Sequence, residues 1–138
     1  HLESSYESYK DFIDQDYLRK RNYLKKIQEH KERIEKGKDL YLIAENQGKI
    51  IGFCSAAPLK FHSNQKFSAA QKLKRHEKGE IDNLYVRSNY HKMGIGRKLF
   101  DTAKLWLKEN QLIPFLVWVY KDNFKARTFY EHLGGKLV

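Results

Sequence analysis

The sequence predicts an α/β (α+β) domain with a mixed sheet, and three observations carry the prediction. Helix-period segments open the chain, two apolar runs joined by a glycine-bearing turn follow, and strand-like and helix-like segments then alternate to the end.

Residues 4–36 place Tyr6, Tyr9, Phe12 and Ile13, then Tyr23, Leu24, Ile27, His30 and Ile34, at three- and four-residue spacing. A break near Asp16 divides them into two helices whose apolar stripes are expected to face a core, and Gly37 stops the second. Residues 40–44 and 50–54 read as strands, and the turn at 45–49, with Gly48, makes them a hairpin that ends before Pro58. Residues 59–78 are polar and lysine-rich, which predicts a long loop. Residues 80–86 form the third strand. A helix from Gly94 to about Asn110 puts Ile95, Leu99, Ala103, Trp106 and Leu107 on one face. Residues 114–120 are apolar throughout and predict a central fourth strand. Asp122 or Asn123 caps a last helix through Ala126, Phe129 and Tyr130, and Gly134 and Gly135 terminate it. With a strand beginning near Val138, the order is α-α-β-β-β-α-β-α-β.

The chain has 138 residues, enough for one core, so residues 1–138 are read as a single domain. Hydrophobic residues make up 41% of it, which sets it apart from disordered compositions. No apolar run is long enough to span a membrane, and no secretory leader opens the chain. The one cysteine, Cys54, lies in an apolar run and reads as a buried thiol. These features suit a cytoplasmic protein. The chain opens at His1 without a methionine and stops where a strand pattern begins, which points to truncation at both ends. An incomplete sheet would leave an edge needing cover, and a homodimer is one way to supply it.

The net charge is +10, and residues 60–98 hold ten Lys or Arg against three Asp or Glu. A positive field so concentrated implies an anionic partner, either nucleic acid or a phosphorylated cofactor. The densest information lies within this stretch, where the strand ending at Val86 leads through a glycine-bearing turn into a helix. Helix N-termini present unpaired N–H groups and the positive end of the helix dipole, a geometry that invites phosphate. Gly94 and Gly96 remove side chains that would hold an anion away, and Lys92, Arg97 and Lys98 add mobile charge. Two glycines at a helix start also serve plain tight packing. The P-loop pattern is absent because Gly94 and Gly96 are too close together, and Leu99 stands where the dinucleotide fingerprint needs its third glycine.

What remains resembles the GNAT superfamily of N-acetyltransferases. His91, Lys92, Met93, Gly94, Ile95 and Gly96 follow that family's [Gln/Arg]-x-x-Gly-x-[Gly/Ala] pattern, with His91 the departure. The segment from Asn123 to Gly134 is similar to a second family pattern, Asn-x-x-Ala-x-x-Phe-Tyr-x-x-x-Gly, at every fixed place. The likeness is clear over 80–135, looser over 40–54, and positional only for the N-terminal helices.

The resemblance implies a GNAT-like sheet with two splayed strands and acetyl-coenzyme A as co-substrate. The pantetheine arm would lie along the backbone of Leu84 and Val86. Main-chain N–H groups across His91, Lys92, Met93, Gly94, Ile95, Gly96 and Arg97 would hold the pyrophosphate, and Asn123 would bond the arm. Tyr130 matches the family's tyrosine acid, which protonates the leaving thiolate, and Glu80 stands where some members carry a glutamate base. Asp82, two residues on along the same strand face, is the rival base, and water chains serve many relatives. Acetyl transfer needs these parts because an amine must lose a proton before it attacks, the tetrahedral oxyanion needs an N–H donor near Leu84 or Tyr85, and the thiolate benefits from an acid. Tyr130 also reads as a core tyrosine, Asn123 as a helix cap, and Glu80 as a solvated strand charge.

The substrate is then a small-molecule or peptide primary amine. Lys60, Lys66, Lys72, Lys74 and Lys78 disfavour a polycation such as a polyamine and permit a neutral or acidic amine. No metal is expected, since His62 and His76, with His30 and His132 remote, lack ligand spacing. Two other readings stand beside the enzyme. A basic nucleic-acid-binding module would use Phe61, Phe67 and Tyr90, although no known nucleic-acid motif is present. A non-catalytic acyl-coenzyme A-binding scaffold would keep the fold without turnover.

Overall fold

A computed structural model describes residues 23–60 and 76–138. The helical pattern expected before residue 23 and most of the lysine-rich loop lie outside the described residues. Within them the order is α1 (Tyr23–Lys36), β1 (Leu40–Asn46), β2 (Lys49–Pro58), β3 (Gly79–Val86), a 3-10 turn (Ser88–Tyr90), α2 (Ile95–Glu109), β4 (Phe115–Val117) and α3 (Phe124–His132). The sheet runs β1-β2-β3-β4. β1, β2 and β3 pair antiparallel, and β4 joins β3 in parallel, so the sheet is mixed as predicted.

The hairpin forms because Gln47 and Gly48 both take positive φ, 51° and 77°, between paired Asn46 and Lys49. That twist matches the twist of the flanking strands. β2 runs past residue 54 to Pro58, since the small residues Ser55, Ala56 and Ala57 bury completely between neighbours. Gly52 allows β3 to approach, because a Cβ there would stand 2.7 Å from the Tyr85 carbonyl oxygen.

One register break shapes the rest. Ser55 pairs with Asn83 and Ala56 with Ile81, which leaves Asp82 as the extra residue of a β-bulge. Ile81, Leu84 and Val86 pack toward the α2 core, whereas Asp82 and Asn83, although consecutive, both bond Ser55 on the other side. The alternation therefore slips by one residue at the bulge.

The core lies between the sheet and α2, where Cys54, Ala56, Ile81, Leu99, Phe100, Ala103 and Leu107 form one buried cluster. This is the α2 face the 3.6-residue pattern predicts. The stripe on α1 holds only in part. Its His30 turns toward the sheet, joined by Arg33, whereas its Ile27 and Ile34 are 59% and 56% exposed. The sheet surface below offers Asp39, Tyr41 and Asp82, so the helix presents hydrogen-bonding residues to it rather than its isoleucines.

Two further expectations are corrected. The fourth strand is short, Phe115–Val117, because the chain bends away from β3 after Val117, and it is terminal rather than central because no other described strand pairs with it. Trp118 and Val119 line the gap this opens. Residues 136–138 form no strand, and Leu137 and Val138 are exposed.

Candidate functional site

β3 runs beside β4 only from Gly79 to Ile81, and then the two part. The Arg87 N–H donates to the Ile51 carbonyl at 2.8 Å, toward β2. By the two-residue alternation of a strand, Leu84 and Val86 turn their backbone polar groups to the opposite edge, into the gap. The resulting cleft is walled by Asp82, Leu84 and Tyr85 from β3, Trp118 from the departing strand, and Asn123 and Tyr130 from the α3 side. Its interior space is about 100 Å³, enough for a few waters or the slender end of a longer ligand.

Tyr130 stands between the rings of Phe100 and Phe129, at 6.0 and 5.1 Å. No described residue hydrogen-bonds its hydroxyl. Burial, with smaller contributions from Cys54 and Tyr85, pushes its pKa above the ordinary phenol value, so it holds its proton. Asn123 caps α3, its Oδ1 accepting from the Ala126 N–H at 3.1 Å. That bond uses the oxygen and leaves the Nδ2 hydrogens for the cleft.

The other end of the gap meets the start of α2. Gly94 is its N-cap at φ 79°, no side chain caps the helix, and the Lys98 N–H is bonded to the Gly94 carbonyl at 3.0 Å. The N–H groups of Ile95, Gly96 and Arg97 precede the helix's own acceptors. Lys92 also takes a positive φ, 62°, in the turn before. The two glycines are not equivalent. Gly94 supplies the left-handed backbone, whereas a Cβ on Gly96 would make only ordinary contact, with Phe129 at 3.5 Å and Val86 at 3.8 Å, so packing there has room for a methyl group. His91 folds back so that Nε2 donates to the Val86 carbonyl at 2.7 Å. A carbonyl only accepts, so that nitrogen carries the proton.

The two candidate bases are placed unequally. Glu80 is 1% exposed and is not on the cleft wall. Trp118 Nε1 donates to its Oε2 at 2.9 Å, a tie across the point where the strands separate. Asp82 is on the wall, but its Oδ1 accepts from Ser55 Oγ and its Oδ2 from an Arg33 guanidinium nitrogen, each at 2.7 Å. Burial works against the charge of Arg33, but Asp82 and then Asp39 more than offset this and raise its pKa above the ordinary value.

The structure thus gathers Leu84, Asn123 and Tyr130 at one cleft, links Val86 to His91 at its end, and aligns residues 92–97 with the α2 tip. Sequence reasoning missed Trp118, Arg33 and Ser55 as neighbours of the site. Trp118 sat in an apolar run indistinguishable from a buried strand, and nothing in the sequence marks the bulge that brings Ser55 to Asp82. Among the described residues no His, Cys, Asp and Glu cluster could hold a metal, and no helix is long and apolar enough to cross a membrane.

A strand that leaves its neighbour beside an uncapped helix start is a geometry suited to an extended, anion-bearing ligand. The comparisons name the class further. The model of the acetyltransferase (GNAT) family matches residues 2–135. An uncharacterised N-acetyltransferase of Archaeoglobus fulgidus is 32% identical over 127 residues, 90% of this chain and 76% of that protein. The uncharacterised N-acetyltransferase YuaI of Bacillus subtilis is 26% identical over 138 residues, 100% of this chain and 72% of its own. Among solved structures, the PaiA N-acetyltransferase of Thermoplasma acidophilum in complex with coenzyme A superposes with a TM-score of 0.73 at 21% identity, over 99% of this chain and 79% of that one. The aminoglycoside 6′-N-acetyltransferase of Acinetobacter haemolyticus gives a TM-score of 0.67 at 18% identity, over 86% and 77%. The chain belongs to the GNAT acetyltransferase family and is an N-acetyltransferase. The nucleic-acid-binding and scaffold readings are not favoured.

Proposed function

We propose that the protein transfers an acetyl group directly from acetyl-coenzyme A to the primary amine of a small molecule or peptide. One observation carries the reading. The backbone edge at Leu84 and Val86, which no described strand pairs, lies between an uncapped helix start and a proton-bearing tyrosine hydroxyl that no described residue bonds. Bound coenzyme A in the Thermoplasma relative supports the choice of donor.

In this reading the N–H groups from His91 to Arg97 hold the pyrophosphate, with Lys92 adding charge. The pantetheine arm bonds the edge at Leu84 and Val86 and the Nδ2 of Asn123. The amine gives its proton to Glu80 through water, because Glu80 lies behind Trp118 rather than on the wall. The amine nitrogen then attacks the thioester carbon, and the Leu84 N–H stabilises the oxyanion. As the C–S bond breaks, the Tyr130 hydroxyl protonates the thiolate, the adduct nitrogen gives up its second proton through water to restore the phenol, and the products are the N-acetylated amine and free coenzyme A. The abundance of lysine in residues 60–78 favours a neutral or acidic acceptor over a polyamine. A buried single cysteine suits a reducing compartment, and we place the protein in the cytoplasm.

The test is thiol release from acetyl-coenzyme A against amino acids, aminosugars, polyamines and peptides, with calorimetry of coenzyme A binding. Turnover with one amine class and coenzyme A binding are expected. A folded protein that binds neither coenzyme A nor its acetyl form would end the proposal.

A further inference from the structure

The site is buttressed from the far side of the sheet by a chain of polar contacts that the reaction above does not use. Arg33 of α1 bonds two carboxylates from different elements. Its Nε donates to Asp39 Oδ2, just ahead of β1, at 2.7 Å, and a terminal nitrogen donates to Asp82 Oδ2 at 2.7 Å. Asp82 is the bulge residue of β3, and its other oxygen accepts from Ser55 Oγ of β2. Ser55 in turn accepts from Asn83 Nδ2 at 2.7 Å. Ser55 is fully buried, Asn83 is 8% exposed, and the Asp39 side chain is 5% exposed, so water competes poorly for these bonds.

The bulge decides which way the following residues point. Without the extra residue, the alternation of β3 would slip by one, and Leu84 and Val86 would exchange faces with Asn83 and Tyr85. The backbone groups that face the cleft stand two and four residues beyond Asp82. An unpaired bulge residue has no ladder partner of its own, and here side chains from α1 and β2 hold it instead.

Resting on the function proposed above, we infer that Arg33 is a positioning residue for acetyl transfer: by clamping Asp82 against α1, it fixes the β3 bulge and the Leu84 N–H that meets the reacting carbonyl. The clamp needs a guanidinium. Arginine's planar fork reaches Asp39 and Asp82 at once, whereas the single ammonium of lysine neutralises charge without holding both. In the reading proposed above, the pyrophosphate of coenzyme A is held away from the clamp, at the start of α2, and only the pantetheine arm meets the β3 edge, so loss of the clamp moves turnover more than donor affinity.

The experiment compares the full chain with Arg33→Lys, Arg33→Met and Ser55→Ala. It measures coenzyme A affinity by calorimetry, thiol release from acetyl-coenzyme A with the best amine of the panel and with water alone, and backbone amide NMR shifts. Turnover is expected to fall about tenfold or more in Arg33→Met and less in Arg33→Lys, with coenzyme A affinity held within about twofold. The amides of Asn83 and Leu84 should shift, while those of Ile95 and Gly96 stay put. Wild-type turnover retained in Arg33→Met overturns the inference. So does a parallel loss of turnover, affinity and thermal midpoint with shifts throughout, which would mean a purely structural role. If Arg33→Met does not fold, Arg33→Lys and Ser55→Ala decide by the same criteria. A wild-type chain that binds no coenzyme A defeats the proposed function, and this inference with it. A wild type that turns over normally beside an unaffected Arg33→Met defeats the inference alone.

Discussion

The two faces of the sheet are built from different chemistry. Toward α2 lie Cys54, Ala56, Ile81, Leu99, Phe100, Ala103 and Leu107, an apolar cluster without a buried charge. Toward α1 lie His30, Arg33, Tyr41, Phe53, Ser55, Asp82, Asn83 and Tyr85, joined by hydrogen bonds and ring contacts. The first face supplies non-directional burial, which tolerates small shifts. The second relies on directional bonds, which fix geometry and lose heavily when one partner is removed. Stability is thus concentrated on one side of β3, and positioning of the proposed cleft on the other.

Substitutions that strike one face at a time sharpen this contrast. The largest effect on stability is expected from Leu107→Ala, at the fully buried centre of the α2 face. It should cost about 2–5 kcal/mol in denaturant unfolding, with coenzyme A still bound at temperatures where the variant is folded. On the site, Tyr130→Phe should cut turnover about 100-fold, the lower end of general acid catalysis, while calorimetric coenzyme A affinity stays nearly unchanged. Equal loss of both would make the tyrosine structural.

Alkaline pH separates the faces by titration. Burial, with a smaller contribution from Asp82, pushes the Cys54 thiol from 9.0 up to about 12. Burial raises the Tyr41 phenol from 10.0 to about 12, against the opposing pull of Arg33. In each case the folded protein keeps a proton that the unfolded chain has already lost, so stability is full below the unfolded pKa and falls as pH climbs toward 12. Thermal midpoints should therefore decline from about pH 9, the reference thiol value. In Cys54→Ala the decline should begin only near pH 10, where tyrosine takes over. An unchanged onset in that variant would mean the thiol is not shielded in the folded state.

The smallest expected effect tests a residue with two roles. Asn123→Ala removes the α3 cap and should cost about 1 kcal/mol as well as coenzyme A affinity. Asn123→Asp keeps the capping oxygen, so unfolding should barely change while affinity still drops, because the Nδ2 donor is gone. Equal affinities in the wild type and Asn123→Asp would remove Asn123 from the proposed donor site.

Much of the fold was legible because the signals were local. The periodicity of α2, the Gln47 and Gly48 turn, the Gly94 helix start and the Asn123 cap each depend on residues within a few positions of one another. The same is true of the two patterns around Gly94 and Tyr130, which directed attention to the cleft before its walls were known. The misreadings share an opposite cause. Residues 114–120 read as a central strand because apolar side chains lining a cleft resemble those buried in a sheet. The stripe on α1 named Ile27, His30 and Ile34, yet of these only His30 faces the sheet, because the partner surface offered carboxylates and a phenol, and Arg33 joined it there.

By itself the sequence determined the order of the described elements, the mixed α/β class and the glycine-opened helix start, since these follow from short-range sterics and hydrogen bonding, and it carried the two family patterns as a resemblance. Tertiary structure alone decided where β4 leaves β3, that Asp82 is the bulge residue, that Glu80 sits behind Trp118, and that Arg33 bridges two carboxylates. These depend on strand register and on contacts between residues as far apart in the chain as Arg33 and Asp82, which no local pattern encodes.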